Sequence, residues 1–420
     1  MATGVKVNKR WRLYGWLLLI QSVYSLVPWF FWWLPSRYAA ILFFLINAIY
    51  LLTSTLWDFK DGRRMGAALI VVFLFQYQAI GGNIVYHIIK FCDSIALLPL
   101  IFLKTQYQKD LLDRFQKILV PILAISLFFW IGHLAGFDLP SSEITYGSRD
   151  RGMGDDAQYY FSNHYLYLVN QGLDFQTEDL VPSFLRFSSV FLEPGYLAIL
   201  MVFFLFINEF NFRNWKCIVF AFTILFTLSL AGFLMTLIAF GAHLFQKSKH
   251  RIAGIVSICF LLFFGYYFFT NYNGGDNLVN YAIIQRLEYD DDTGTIAGYN
   301  RTSEYFDDRF DQFILSSDAL FGINREGYGK AFGDLTNVGY KVYIMTHGLF
   351  GLFLFLLFLF LLARLCNNLR SFVLMLLYII MFMRGHHTMW YFGFVLVYIC
   401  GIIDTRYKCP SEVLNEKTTA

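Results

Sequence analysis

Apolar stretches long enough to cross a lipid bilayer recur along nearly the whole chain. They fall at 11–34, 37–57, 65–81, 83–103, 118–136, 188–208, 216–230, 231–246, 252–270, 340–363, 371–384 and 388–404. A helix needs about 20 apolar residues to span the hydrocarbon core. The pattern therefore predicts an all-α, polytopic membrane protein of about twelve transmembrane helices. Composition agrees, because 57% of residues are apolar and only 15% charged, where a soluble domain carries about 25% charged. It excludes a disordered, collagenous or small disulfide-stapled protein. A net charge of +3 is no nucleic-acid footprint. The six cysteines form no CxxC pair, which argues against a zinc knuckle or redox couple. Lys6, Lys9, Arg10 and Arg12 precede the first apolar run, and no small-residue cleavage site follows. A retained first span is expected, not a removed signal peptide.

Charge sets the expected sidedness. The short turns at 1–12, 58–64, 104–117, 209–216, 246–251, 364–370 and 404–420 hold 21 Lys+Arg and 8 Asp+Glu. Two long loops, 137–184 and 271–339, hold 7 Lys+Arg and 20 Asp+Glu. Basic turns stay in the cytoplasm, so both termini are expected inside and both long loops outside. The organisation expected is a five-helix region over 1–136 and a first outer loop over 137–187. Central helices then cover 188–270, a large outer loop 271–339, three helices 340–404, and a tail 405–420. Loops of this length are usually functional or disordered, and their aromatic content favours folding over the outer face. Residues 216–246 form one apolar run with basic residues at both ends. Two short helices turning near Ser229, Ala231 and Gly232 would keep both flanks inside, and that arrangement is expected.

Ionisable groups at membrane depth are costly and are functional candidates by default. Subtracting the turns and loops leaves Asp93, Glu193, Arg37, Lys90, Arg186, Lys341 and Arg384. Glu193 lies in RFSSVFLEPGYLA, just before a proline that suits the first position of a helix. It can cap the free amides there, or serve as a general base partly screened from water. Arg186 can snorkel to the interface or clamp an anionic headgroup, for which a guanidinium is well shaped.

His347, in YKVYIMTHGLFGLF, is either a hydrogen-bonded buried histidine or a proton acceptor. Arg384, His386, His387 and Trp390 share the turn RGHHTMWY, which can anchor at the interface or bind sugar or phosphate. Adjacent histidines do not share a helix face, so no metal site is expected from that pair. Arg301, Arg309 and Arg325 are bases in an acidic loop, where structural ion pairing is the ordinary role. Asp290, Asp291 and Asp292 read as a solvated acidic turn. His87, Lys90 and Asp93 form a second intramembrane cluster. Lys90 and Asp93, three apart, are expected to pair on one helix face; a proton or ion relay is the alternative.

Together RFSSVFLEPGYLA, the helix break at TLSLAGFL, the loop segments NRTSEYF and LFGIN, and the following THGLFGLFLF resemble the bacterial O-antigen polymerase and O-antigen ligase superfamily. The resemblance covers roughly residues 180–365. It implies about twelve spans, a large periplasmic loop between spans 9 and 10, and a second long one between spans 5 and 6. It also implies an inner-membrane enzyme that transfers glycan from an undecaprenyl-diphosphate-linked oligosaccharide at the periplasmic face, inverting and without a metal or other cofactor. A chain-length regulator and a flippase of the same pathway are the implied partners, besides the bilayer. Residue by residue, Arg186, Arg301 and Arg384 would hold the diphosphate. Glu193 or His347 would take the acceptor proton, and His387, Trp390 and Arg309 would contact glycan. The EPG triplet looks more like the polymerase branch. An O-antigen ligase acting on lipid A-core, a flippase or other transporter, and a receptor without chemistry are the competing readings. A transporter predicts mid-membrane polar groups in both halves as repeats, and no repeat is visible.

Overall fold

The computed structural model describes residues 9–147, 158–170, 186–247, 263–277, 279–290, 295–296, 303–333 and 339–404. Within them the chain is mostly helical. The helices are α1 (Lys9–Ser25), α2 (Ser36–Thr53), α3 (Gly62–Gln78), α4 (Ile84–Phe102), α5 (Thr105–Leu134), α6 (Pro194–Ile207) and α7 (Trp215–Thr227). They continue as α8 (Leu230–Lys247), α9 (263–271), α10 (Glu304–Ile314), α11 (Asn324–Phe332), α12 (Tyr340–Ala363), α13 (Leu369–Arg384) and α14 (Phe392–Ile403).

Among the described residues, α2, α4, α5 and α12 are long and apolar enough to cross a membrane, while α6, α7, α8 and α14 are apolar but shorter. α6 and α14 are buried on every face, with Tyr196 the only residue of the two helices left part-exposed. A helix apolar all round belongs inside a larger assembly. Here α6 packs on α7, α8, α13 and α14, and α14 also packs on α1, α4 and α5. The outer helices turn large apolar side chains outward, among them Leu52, Phe128 and Phe353. That suits lipid contact and would be costly against water.

Three expected boundaries move. The run 11–34 stops being helical at Ser25, because Pro28 cannot continue the ladder; Trp29 N–H donates instead to the Val190 carbonyl at 3.0 Å. The expected turn 104–117 is the first half of α5. Leu111, Leu112 and Phe115 are buried on one face there, while Asp110–Arg114 (2.7 Å) and Asp113–Lys117 (2.5 Å) are i,i+4 pairs that favour helix. The run 188–208 becomes helical only at Pro194, and the residues before it are irregular, with a turn at Ser189–Val190.

The run 216–246 divides at Leu228, whose left-handed φ of 46° ends α7. Gly232, early in α8, lies against Ala198, early in α6. Phe210, just past the end of α6, meets Phe240 late in α8 at 5.1 Å. α8 therefore runs parallel to α6, α7 returns antiparallel to them along another side of α6, and the start of α7 and the end of α8 lie at one end of the bundle.

The expectation of an all-α chain needs amending at the first loop. Strands β1 (Ser142–Gly147), β2 (Gln158–Asn163) and β3 (Leu168–Asn170) form an antiparallel sheet in that order. Ile144 and Phe161 face each other across it, and Trp32 packs on Tyr146 (4.9 Å) and Phe161 (5.2 Å). Sequence alternation there is short and half polar, too weak a signal to read. In the second loop, α10 turns Phe306, Phe310 and Phe313 inward at helical spacing, against Val342 and Met345 of α12. Lys341 closes that contact on Asp307 at 2.6 Å.

Candidate active site

The RFSSVFLE segment reaches the site as largely buried non-helical backbone with a turn at Ser189–Val190, where Ser189 has a φ of 55°. Phe187, Ser188, Ser189, Val190 and Phe191 are all buried. Non-helical backbone at such depth must have its polar groups met by other elements. Phe187 N–H donates to the Phe226 carbonyl at 3.0 Å, and the Ser189 carbonyl accepts from Leu168 N–H at 2.8 Å. Val190 accepts from Trp29 as above, and the Ser189 hydroxyl bonds the Ser126 hydroxyl at 2.8 Å. The segment is thus tied to four separate elements, and Glu193 stands at its end.

Glu193 occupies the N-cap position of α6 but makes no side-chain cap. Its carboxylate instead accepts from the Arg384 guanidinium at 3.3 Å, with side-chain exposures of 28% and 13%. Pro194 starts the helix. A Cβ on Gly195 would overlap the Arg384 guanidinium. The EPG triplet thus supplies an acid to pair with the arginine, a helix start, and the space the arginine fills. Tyr196 extends the site, since Arg384 lies over its ring at 5.6 Å and its hydroxyl meets His387 Nε2 at 2.5 Å. Leu26, Phe191, Leu192 and Tyr391 close a narrow crevice around Glu193 and Tyr196. A carboxylate, a guanidinium, a phenol and an imidazole therefore meet where α6 begins and α13 ends. Arg384 in the last turn of α13 also complements that helix dipole.

The segments LFGIN and THGLFG, far apart in sequence, are one structural unit. α12 breaks at Gly348 (φ 67°, ψ 177°), and residues 320–323 enter the break. Ile323 N–H donates to the Met345 carbonyl (2.9 Å), and Phe350 N–H donates to the Leu320 carbonyl (2.9 Å). Gly322 (φ 79°) and Gly348 approach backbone to backbone, where no Cβ fits. The Tyr77 hydroxyl oxygen lies 2.8 Å from the Phe321 carbonyl and 3.0 Å from that of His347, so its one proton is shared. This joint fixes His347, whose ring packs on Tyr343 at 4.8 Å. His347 lies within electrostatic reach of His386 and Lys90.

The intramembrane cluster is corrected. Lys90 makes no ion pair with Asp93; its ammonium lies over the rings of Phe75 (5.6 Å) and Tyr86 (5.4 Å). Aromatic faces on α3 and α4 compete successfully for the cation, while Asp93 stays within electrostatic reach. Burial holds the His386 imidazole down at about 4, against a Gly339 backbone hydrogen bond and with the Lys90 charge adding to the shift. His386 is therefore neutral at pH 7.

The structure brings Glu193, Arg384 and His387 together and sets His347 against His386. Arg186 is anchored elsewhere, its Nε donating to the Thr227 carbonyl (3.0 Å) at the α7–α8 turn. Arg309 is exposed on α10 and lies over Tyr305 at 5.5 Å. Trp390 packs against Phe75, Phe355 and Phe358. Arg301, Asp291 and Asp292 lie outside the described residues. Tyr196, Gly195 and Tyr77 were not singled out from sequence. The first two sit inside the EPGY string itself, whereas nothing in the sequence marks Tyr77. No family model, curated protein or solved structure matches this chain.

Proposed function

We propose that this chain is a membrane glycosyltransferase of the O-antigen polymerase type. It would transfer glycan from a polyprenyl diphosphate donor to a second lipid-linked repeat at the periplasmic face of a bacterial inner membrane. The observation that carries the reading is the Glu193–Arg384 pair beside Tyr196 and His387, held on the rigid RFSSVFLE segment. The acceptor hydroxyl gives its proton to Glu193, and its oxygen attacks the anomeric carbon. The bond from that carbon to the diphosphate oxygen breaks with inversion, and the electron pair leaves with the diphosphate. Arg384 then exchanges its Glu193 contact for the leaving diphosphate, whose growing charge a preorganised guanidinium stabilises. The Tyr196–His387 pair orients the acceptor sugar. Arg186, held at the α7–α8 turn, is left out of this reading, and Arg301 stays in it only as the contact that the resemblance implies.

The test is reconstitution of the full chain in nanodiscs with polyprenyl-diphosphate-linked oligosaccharide, in the presence of a chelator. A ladder of repeats with released polyprenyl diphosphate is expected. Glu193→Gln is expected to slow it by roughly 10²–10⁴-fold, the usual worth of a general base. An unchanged donor, or a Glu193→Gln protein as fast as wild type, overturns the reading.

A further inference from the structure

The turn after α1 and the tip of the first-loop sheet carry aromatic rings that the transfer step leaves unused. Phe30, Trp29 and Tyr165 stand in a row. The ring centroids of Phe30 and Trp29 are 5.8 Å apart and those of Trp29 and Tyr165 6.4 Å, each pair close to perpendicular. The Trp29 indole N–H donates to the Tyr165 carbonyl at 3.2 Å. Tyr165 is held from its other side too, because its backbone N–H donates to Asn163 Oδ1 at 2.8 Å. These bonds keep Tyr165 at a left-handed φ of 66°, a region that a bulky residue rarely adopts. Tyr165 is nonetheless 54% exposed, and its hydroxyl makes no hydrogen bond among the described residues. Glycine or asparagine would take that turn position with less strain. The fold thus holds a strained tyrosine from which it gains little burial.

The row is joined to the candidate site. Trp29 N–H bonds the Val190 carbonyl, and Pro28 bridges Phe191. Trp29 packs on the cluster of Phe161, Leu168 and Leu192, and Leu192 lines the crevice around Glu193. α1 has ended at Ser25 and α6 begins only at Pro194, so the row lies past the ends of both helices. It therefore sits off the end of the bundle at which Glu193 stands, where a glycan on a membrane-bound carrier would lie and a lipid chain would not. A sugar presents a face of slightly positive C–H bonds, which matches the negative face of an aromatic ring. Its hydroxyls match the donor and acceptor of a free phenol. We propose that Tyr165 and Trp29, with Phe30 beside them, form a sugar-stacking subsite that holds the glycan while its reacting end lies at Glu193. The inference rests on the transferase reading and adds to it the residues that grip the sugar chain.

The probe is the free oligosaccharide released by mild acid from the polyprenyl-diphosphate-linked donor. It has lost its leaving group, so binding is read without turnover. The full chain in phosphatidylcholine nanodiscs is titrated with this oligosaccharide, and saturation-transfer-difference NMR follows the sugar C–H signals. Wild type is expected to transfer saturation to the sugar. Tyr165→Gly removes the ring and suits the local φ. It is expected to weaken binding roughly tenfold, within the range for stacking on one aromatic side chain, and to leave the unfolding midpoint unchanged. Tyr165→Phe is expected to weaken it about threefold, through the loss of one neutral hydrogen bond. Tyr165→Asn, also tolerated at that φ, replaces the glycine variant if that variant does not fold. Wild type without saturation transfer overturns the proposal. So does binding that Tyr165→Gly, or Tyr165→Asn in its place, leaves unchanged, a result that would assign the rings to the lipid interface. The reconstituted transfer assay separates the two readings. A ladder of repeats from a wild-type chain without saturation transfer removes the subsite alone. Saturation transfer from a chain that makes no ladder removes the transferase reading alone.

Discussion

Gly195 shows how one missing methyl group sets a site. The atoms a Cβ would strike belong to the far end of a flexible arginine, so the side chain yields before the backbone does. Gly195→Ala is therefore expected to leave the thermal unfolding midpoint nearly unchanged. It displaces the guanidinium from Glu193 and is expected to lower transfer on the order of a hundredfold, the usual effect of a misplacement near 1 Å. Full activity in that variant would remove Arg384 from the mechanism. The sequence identified Glu193 and Arg384 as charges out of place in apolar surroundings, yet it could not show that they face each other across 191 residues. The same limit misled the reading of Lys90 and Asp93. Helical spacing made a pair available, but rings from α3 and α4 offered the ammonium an alternative that spacing along one helix does not reveal.

At the scale of elements, the α12 break is the clearest device. A helix interrupted in apolar surroundings leaves carbonyls and amides to be met, and residues 320–323 with Tyr77 meet them. Tyr77→Phe removes the shared hydroxyl and leaves both carbonyls short of that donor. It is expected to cost about 1–3 kcal/mol, read as a lower unfolding midpoint of the detergent-solubilised chain. Gly348→Ala is expected to cost more, because its φ and ψ suit glycine alone and the atoms in the way are backbone. A Gly348→Ala protein as stable as wild type would show that the break is not held as described. The glycines of LFGIN and THGLFG were visible in the sequence as family-like strings, but their mutual contact was not.

For the molecule as a whole, the hairpin of α7 and α8 decides where the following chain emerges. Single cysteines at Asn214 and Gln246, in a protein freed of its native cysteines, are expected to react with a membrane-impermeant thiol reagent from the same side. Labelling from opposite sides would require one continuous helix and would overturn the hairpin. The charge pattern anticipated this arrangement, because both flanks of the run are basic. It did not anticipate that α6 and α14, shorter than a bilayer is thick, form the buried centre while α2, α4, α5 and α12 have spanning length.

The sequence alone determined that the chain is mostly helical, with helices long and apolar enough to cross a membrane, because apolar run length is a local quantity that solvent reads directly. It also singled out the few ionisable groups that need an explanation, since each carries a desolvation cost wherever the chain goes. Partnership was left to the tertiary structure: Glu193 with Arg384, Tyr196 with His387, and LFGIN with the break in α12. The physical reason is distance along the chain. Whether a buried charge is paired, stacked or left open depends on which remote element packs beside it, and that is settled only when the helices assemble.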